Sequence, residues 1–236
     1  MKSIICWAAI SILFILIGLA VSKYKCYWLI SGYNTASKEE KSKIEIEKVA
    51  KHIGRMCYLI ALVLFLGGIV INYIEISIFP FTILIMIIIF GYLFYLQKYD
   101  HNKKSKAETI LFIVIAFITL SVTIIVFSLG REANEIKIND KTIVIDGSFG
   151  TTIKREEIKN IELVYDLPEI SLRINGYSDG SAIKKGDFKL KNGEKVKLYI
   201  QSKSGPYIKI STIKNEIYIS YKDENQTLEK LSYLKQ

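Results

Sequence analysis

Histidine is nearly absent from this chain. Its 236 residues include two, His52 and His101, and neither lies beyond residue 130. The last 106 residues also lack cysteine, so no Ser-His-Asp or Cys-His arrangement can form there. The three cysteines, Cys6, Cys26 and Cys57, are an odd set in a long chain and make no disulfide framework. Their spacing does not suit a zinc site. Each sits in or beside an apolar run, where a thiol behaves as a small buried hydrophobe. No Gly-Lys-Ser/Thr follows Gly130, Gly147 or Gly150, which removes a phosphate loop. These gaps exclude most enzyme chemistry. The expectation is a protein with no catalytic residue, no cofactor and no bound metal.

The absence with the widest consequence is of charge within four long stretches. Residues 3–22, 56–74, 76–96 and 109–129 contain no Asp, Glu, Lys, Arg or His. Each is close to the roughly 20 residues that carry a helix across a bilayer core. Half of all residues are hydrophobic, the mean hydropathy is +0.27, and the formal charge is +9. Apolar and charged residues are therefore segregated along the chain, unlike in a disordered protein. The fourth stretch holds fifteen Ile, Leu, Phe and Val residues. Together these favour insertion by about 5–9 kcal/mol, of which one central Lys would cancel a third to a half. In lipid each backbone N–H and C=O must be satisfied within the segment, so these runs are expected to be helical despite their β-branched content. Pumps and ion carriers bury ionisable groups in their spans, and none is present. Gly67-Gly68 and Gly91 suit close helix packing.

Basic residues between the spans set the orientation. Lys23, Lys25, Lys38, Lys41, Lys43, Lys48, Lys51 and Arg55 lie in the first connection, and Lys98, Lys103, Lys104 and Lys106 in the third. Only Glu75 separates spans two and three, which implies an antiparallel hairpin. Cytoplasmic loops collect Lys and Arg, so both termini are expected outside a cytoplasmic membrane, with an extracytoplasmic tail; a cytoplasmic tail is the alternative. Ala20-Val21-Ser22 has the small-x-small form of a signal-peptidase site. Cleavage there would place the Lys-rich first connection outside, and a retained helix accords better with the charge rule. No nucleic-acid partner is expected.

The first connection carries the most distinctive residues. Tyr24, Tyr27, Trp28 and Tyr33 suit the headgroup layer. Ser37-x-x-Glu40 is a capping box. An amphipathic helix is expected over 38–54, with Ile46, Val49, Ala50 and Ile53 on one face and Gly54 as a stop or hinge before the second span. It reads as a helix lying on the inner leaflet, or else as a docking site for a partner. The run Trp28-Leu29-Ile30-x-Gly32-Tyr33-Asn34-Thr35-x-Ser37-x-Glu39-Glu40-Lys41 resembles the signature of an uncharacterised bacterial integral-membrane family, catalogued only as a domain of unknown function. That resemblance covers about the first hundred residues. It implies a bacterial membrane protein and supplies no activity.

After Gly130 the pattern alternates. Short strands are expected near Glu135–Ile138, Thr142–Ile145, Thr152–Arg155, Asn160–Val164, Phe188–Leu190, Val196–Ile200, Tyr207–Ser211 and Glu216–Tyr221. Asn139-Asp140-Lys141 and Asn192-Gly193 read as hairpin turns, the latter of type I′. Residues 176–186 read as a flexible loop, with Lys184 and Lys185 as a possible binding pair on it. Leu228, Leu231 and Leu234 point to a helix over about 225–235, capped by Asp223 or Asn225. Strands followed by one helix resemble a bacterial pleckstrin-homology-like (PH-like) domain, a small antiparallel barrel capped by a helix. Ile153-x-x-Glu156-Glu157-Ile158-x-x-Ile161 is similar to a stretch of that family. With 19 basic and 16 acidic residues, the tail has no anionic-lipid footprint.

The expected organisation is a four-helix membrane domain over 1–130 and a PH-like β domain over 131–236. The expected role is non-catalytic: the helices sit in the lipid bilayer and hold a domain that binds a protein or envelope component, with oligomers possible. A transporter or channel subunit is one alternative. An enzyme working through Glu156, Glu157 or Asp187 is another, although nothing in the sequence sets those carboxylates opposite each other.

Overall fold

The computed structural model describes residues 2–102 and 106–235. Lys103 and Lys104, counted above in the third connection, lie outside the described residues. The chain divides into two compact units, Met1–Thr123 and Ile124–Gln236.

The first unit is helical: α1 (Lys2–Ser22), α2 (Lys38–Ser42), α3 (Ile46–Ile74), α4 (Phe79–Leu96) and most of α5 (Lys106–Arg131). Four of these helices are long and apolar enough to cross a membrane: Ile4–Ser22, Ile46–Ile74, Phe79–Tyr99 and Lys106–Arg131. α3 reverses into α4 through Glu75, whose left-handed backbone (φ 54°) ends the helix. Pro80 falls in the first turn of α4, where a missing N–H costs little. α1 packs along α3, and glycines allow the approach. A methyl group at Gly54 would come within 2.6 Å of Ser22 Cβ and 3.2 Å of the Gly18 carbonyl oxygen. A methyl at Gly68 would come within 2.6 Å of Trp7 Cβ.

The first connection folds differently from its sequence reading. No single helix runs over 38–54. α2 stops at Ser42, and α3 continues without a break through Gly54. Gly54 serves close packing against α1 instead of ending a helix. The stripe Ile46, Val49, Ala50 and Ile53 packs on Val21, Ile30, Leu96 and Tyr99, and so covers protein instead of a leaflet.

The described residues of the second unit form the end of α5, then nine strands and a terminal helix. β1 (Glu135–Ile138), β2 (Thr142–Asp146) and β3 (Thr151–Lys154) form an antiparallel three-stranded sheet. β4 (Ile158–Val164), β5 (Ile170–Ser178), β6 (Lys184–Leu190), β7 (Lys195–Ile200), β8 (Tyr207–Thr212) and β9 (Glu216–Ile219) form a six-stranded sheet in the order β4-β8-β9-β7-β6-β5. Ile136, Ile143, Ile145 and Ile153 from the small sheet share one core with Ile208, Ile210, Ile217 and Ile219 from the large one. α6 (Glu224–Leu234) adds Leu234 to that core, and Asp223 caps it by accepting from the Asn225 N–H at 3.0 Å.

Three expectations are corrected here. The sheets do not close into a barrel, and β7 pairs with β9 in parallel, so the domain is not a purely antiparallel meander. The Asn192-Gly193 hairpin is not type I′: only Gly193 has positive φ (95°), and its N–H donates to the Leu190 carbonyl at 3.1 Å. That geometry is a type I turn followed by a left-handed glycine. Finally, residues 176–186 are not loop throughout: 176–178 and 184–186 are strand, and only 179–183 connect them. β5 and β6 pair along their length, with Gly176 opposite Gly186, and a side chain at Gly176 would strike the Lys185 carbonyl. Glycine marks close strand contact here, which composition alone cannot tell from a loop.

Candidate functional site

The first and third connections meet. Ile44 bridges Asp100, the Glu45 N–H donates to the Tyr99 carbonyl (2.9 Å), and the His101 N–H donates to the Lys43 carbonyl (3.0 Å). Asn102 Nδ2 donates to the Glu40 carbonyl at 3.1 Å. Both connections therefore lie at the same end of the helical unit, as their shared basic character requires.

Between them lies a cavity of about 620 Å³. Its floor is apolar, made by Ile30, Ile44, Ile46, Val49, Ile53, Leu93 and Leu96. Its rim is polar: Ser31, Thr35, Glu40, Gln97, Asp100, Asn102 and Glu108. Among the described residues that line it, the rim carries carboxylates and no Lys or Arg.

Local chemistry shapes the wall formed by the first connection. Gly32 takes a left-handed backbone (φ 84°) that turns the chain after a short 3-10 segment. Thr35 Oγ1 donates to the Gly32 carbonyl (3.3 Å), and Lys41 Nζ donates to the Asn34 carbonyl (3.1 Å). Lys41 also lies 5.5 Å from the Tyr33 ring centre, and Tyr27 meets Tyr33 edge-on at 6.3 Å. The capping box forms: the Glu40 N–H donates to Ser37 Oγ (3.2 Å), and the Ser37 N–H donates to Glu40 Oε2 (2.7 Å). That backbone donor holds the Glu40 carboxyl below its usual range. Glu39 pairs with Lys43 at 2.6 Å, which lowers its carboxyl likewise.

Of the motif residues, Gly32, Tyr33, Thr35 and Glu40 line the cavity. Asn34, Ser37, Glu39 and Lys41 support the wall from behind through the contacts just given. Trp28 is two-thirds exposed and points away from the protein interior. The sequence reading missed Gln97, Asp100 and Asn102. They lie about sixty residues further on, and only the like charge of the two connections hinted at their meeting.

Lys184 and Lys185 are not an exposed pair. Both are on β6, and Lys185 is completely buried, its ammonium donating to the Glu132 carbonyl. Burial pulls its pKa below the usual lysine value. Alternation along a strand sends neighbouring side chains to opposite faces, so two adjacent lysines cannot share one there. Arg131 Nη1 pairs with the buried Asp179 at 2.7 Å.

Residues 8–100 match the family model described as a domain of unknown function (DUF3784). The DUF3784 match accords with the expected likeness to an uncharacterised membrane family. It takes in most of α1, all of α2, α3 and α4, and every cavity residue except Asn102 and Glu108. It leaves α5 and the β domain outside. No curated protein and no solved structure matches the chain.

Proposed function

We propose that the chain is a non-catalytic, multi-pass protein of a bacterial cytoplasmic membrane, whose helices anchor a PH-like domain that binds an extended segment of a partner protein. The observation that carries this reading is the edge strand β5. It ends the six-stranded sheet, runs for nine residues, and exposes Leu172 and Ile174. A free edge offers backbone donors and acceptors to an incoming strand, while flanking side chains give selectivity. The domain's charged groups support a binding role over a catalytic one, because they pair with one another. Lys209 meets Glu216 at 2.8 Å, Lys197 meets Asp187 at 2.8 Å, and Lys214 meets Glu157 at 2.6 Å. The PH-like assignment rests on strands followed by a terminal helix whose Leu234 joins the shared core.

The test is co-purification from bacterial membranes in mild detergent, comparing the wild type with Leu172→Lys/Ile174→Pro. Loss of a partner in the variant supports the edge reading. An unchanged set of partners refutes it. Orientation is tested with Lys203→Cys, at an exposed position, in a background where Cys6, Cys26 and Cys57 are Ser. Labelling of intact cells by an impermeant reagent supports an extracytoplasmic tail, and protection reverses it.

A second reading, a subunit of a transporter or channel assembly, draws on α5. Apart from Gly130, no described residue of that span is buried, so most of its apolar surface, Phe112 and Phe127 aside, is open to lipid or to a neighbouring subunit. Native mass spectrometry showing only single copies would remove this reading.

A further inference from the structure

On the face of α4 turned away from the connector cavity lies a second cavity, of about 490 Å³. His52 and Arg55 of α3 line it together with Gly91, Tyr92 and Tyr95 of α4. Its two ends differ in chemistry.

Beyond the connection end, Tyr99 and Lys98, which do not line the cavity themselves, are chained to its lining residues His52 and Tyr95. His52 Nε2 is 3.2 Å from the Tyr99 hydroxyl, which is 3.3 Å from the Tyr95 hydroxyl. Lys98 Nζ donates to Tyr95 Oη at 2.5 Å and sits 3.8 Å from that ring's centre. The His52 ring stacks on Tyr99 at 5.3 Å. The charges that bear on His52 are Arg55, Lys98 and Lys51, all positive. Among the described residues none of the three makes an ion pair. The nearby carboxylates are engaged elsewhere, Glu45 with Lys48 and His101, and Glu47 with Lys25. This end is an uncompensated cationic group held by stacked rings.

The other end is apolar. Ile87, Ile88 and Gly91 continue the wall down α4. From Tyr95 to Ile87 is about 12 Å of helix, at 1.5 Å per residue. Apart from Gly91, its chain neighbours and the adjacent α4 backbone, no described atom lies within 4 Å of where a Gly91 side chain would begin, so the slot is open there. The slot thus runs along a candidate membrane span, with cations and tyrosines at its interfacial mouth.

We propose that this cavity binds one anionic phospholipid, its phosphate held by Arg55 and Lys98 beside His52 and its acyl chain lying along Ile87, Ile88 and Gly91. Charge complementarity selects the head and the slot selects the chain. A free phosphate would satisfy only the head, and a zwitterionic lipid would bring a choline cation among the cations.

The test is native mass spectrometry of the full chain in mild detergent, titrated with dioleoyl phosphatidylglycerol, dioleoyl phosphatidylcholine or inorganic phosphate. One phosphatidylglycerol should be retained in preference to phosphatidylcholine. Each cation removed should lower that retention about fivefold, so Arg55→Gln/Lys98→Gln loses about 25-fold, while Arg55→Lys holds its charge and stays within a few-fold of wild type. Gly91→Leu, which fills the slot without touching any cation, should release the lipid too. Lys23→Gln, a charge change away from the cavity, should have no effect. Equal retention of the two lipids, wild-type retention by Gly91→Leu, or full displacement by inorganic phosphate would each overturn the proposal.

Discussion

Replacing Lys185 with Met should stabilise the β domain at neutral pH. Lys185 is completely buried on β6, and its ammonium has one protein partner among the described residues, the Glu132 carbonyl. Removing an ammonium from water costs several kcal/mol. A hydrogen bond from a charged donor returns about 1.5–3 kcal/mol. The buried carboxylate Asp179 is held by Arg131, and the exposed Glu132 carboxylate offsets the burial of the ammonium only in part. Met keeps the length and packing of the stem without the charge, and Glu132 is exposed enough for water to take over its carbonyl. The balance favours Met by about 1–2 kcal/mol. Hydrogen exchange on the β7, β8 and β9 amides of the full chain in detergent should then slow about 5–30-fold.

The pH dependence sharpens this test. Burial lowers the folded pKa of Lys185 beneath the ordinary 10.5. Below the folded value both states carry the proton, and the wild type bears the full cost of the buried charge. Between the folded value and 10.5 the unfolded chain holds more protons, so wild-type stability rises with pH. The advantage of Met should therefore shrink across that interval. A variant less stable than wild type at pH 7, or a difference constant through pH 11, would refute this account of the buried charge.

Three further substitutions probe other levels of the fold. Ser37→Ala removes the acceptor that caps α2 and should cost about 1 kcal/mol locally. It should appear as faster hydrogen exchange confined to Lys38–Ser42. Ile208→Ala, at a fully buried core position, should destabilise the β domain by about 3–4 kcal/mol, read as loss of protection across both sheets. Gly54→Leu drives a side chain into Ser22 and the Gly18 carbonyl of α1, and should lower the melting temperature in detergent. Gly91→Leu, entering open space, should leave that temperature unchanged. Equal effects of the two would contradict the α1–α3 packing described.

Composition alone was enough to mark the four candidate spans, because lipid favours uncharged runs of bilayer length and demands helix within them. The capping box at Ser37 and Glu40 was equally legible, since a cap depends on residues three apart. Hairpin positions in the tail could also be read, for turns are local. The structure decided what depends on contact at a distance. Whether the Ile46–Ile53 stripe meets lipid or protein depends on where Val21 and Leu96 fall, and neither lies in that segment. Gly54, Gly176 and Gly186 look like breaks until their neighbours show them to be close approaches. Residues 170–178 form a strand because β6 lies beside them, and Lys185 is buried because alternation on that strand turns it inward. The joining of the two connections around one cavity is the plainest case. Asp100 and Asn102 reach Ile44 and Glu40 only because two helices, α3 and α4, reversing once at Glu75, return the chain to the same end of the bundle.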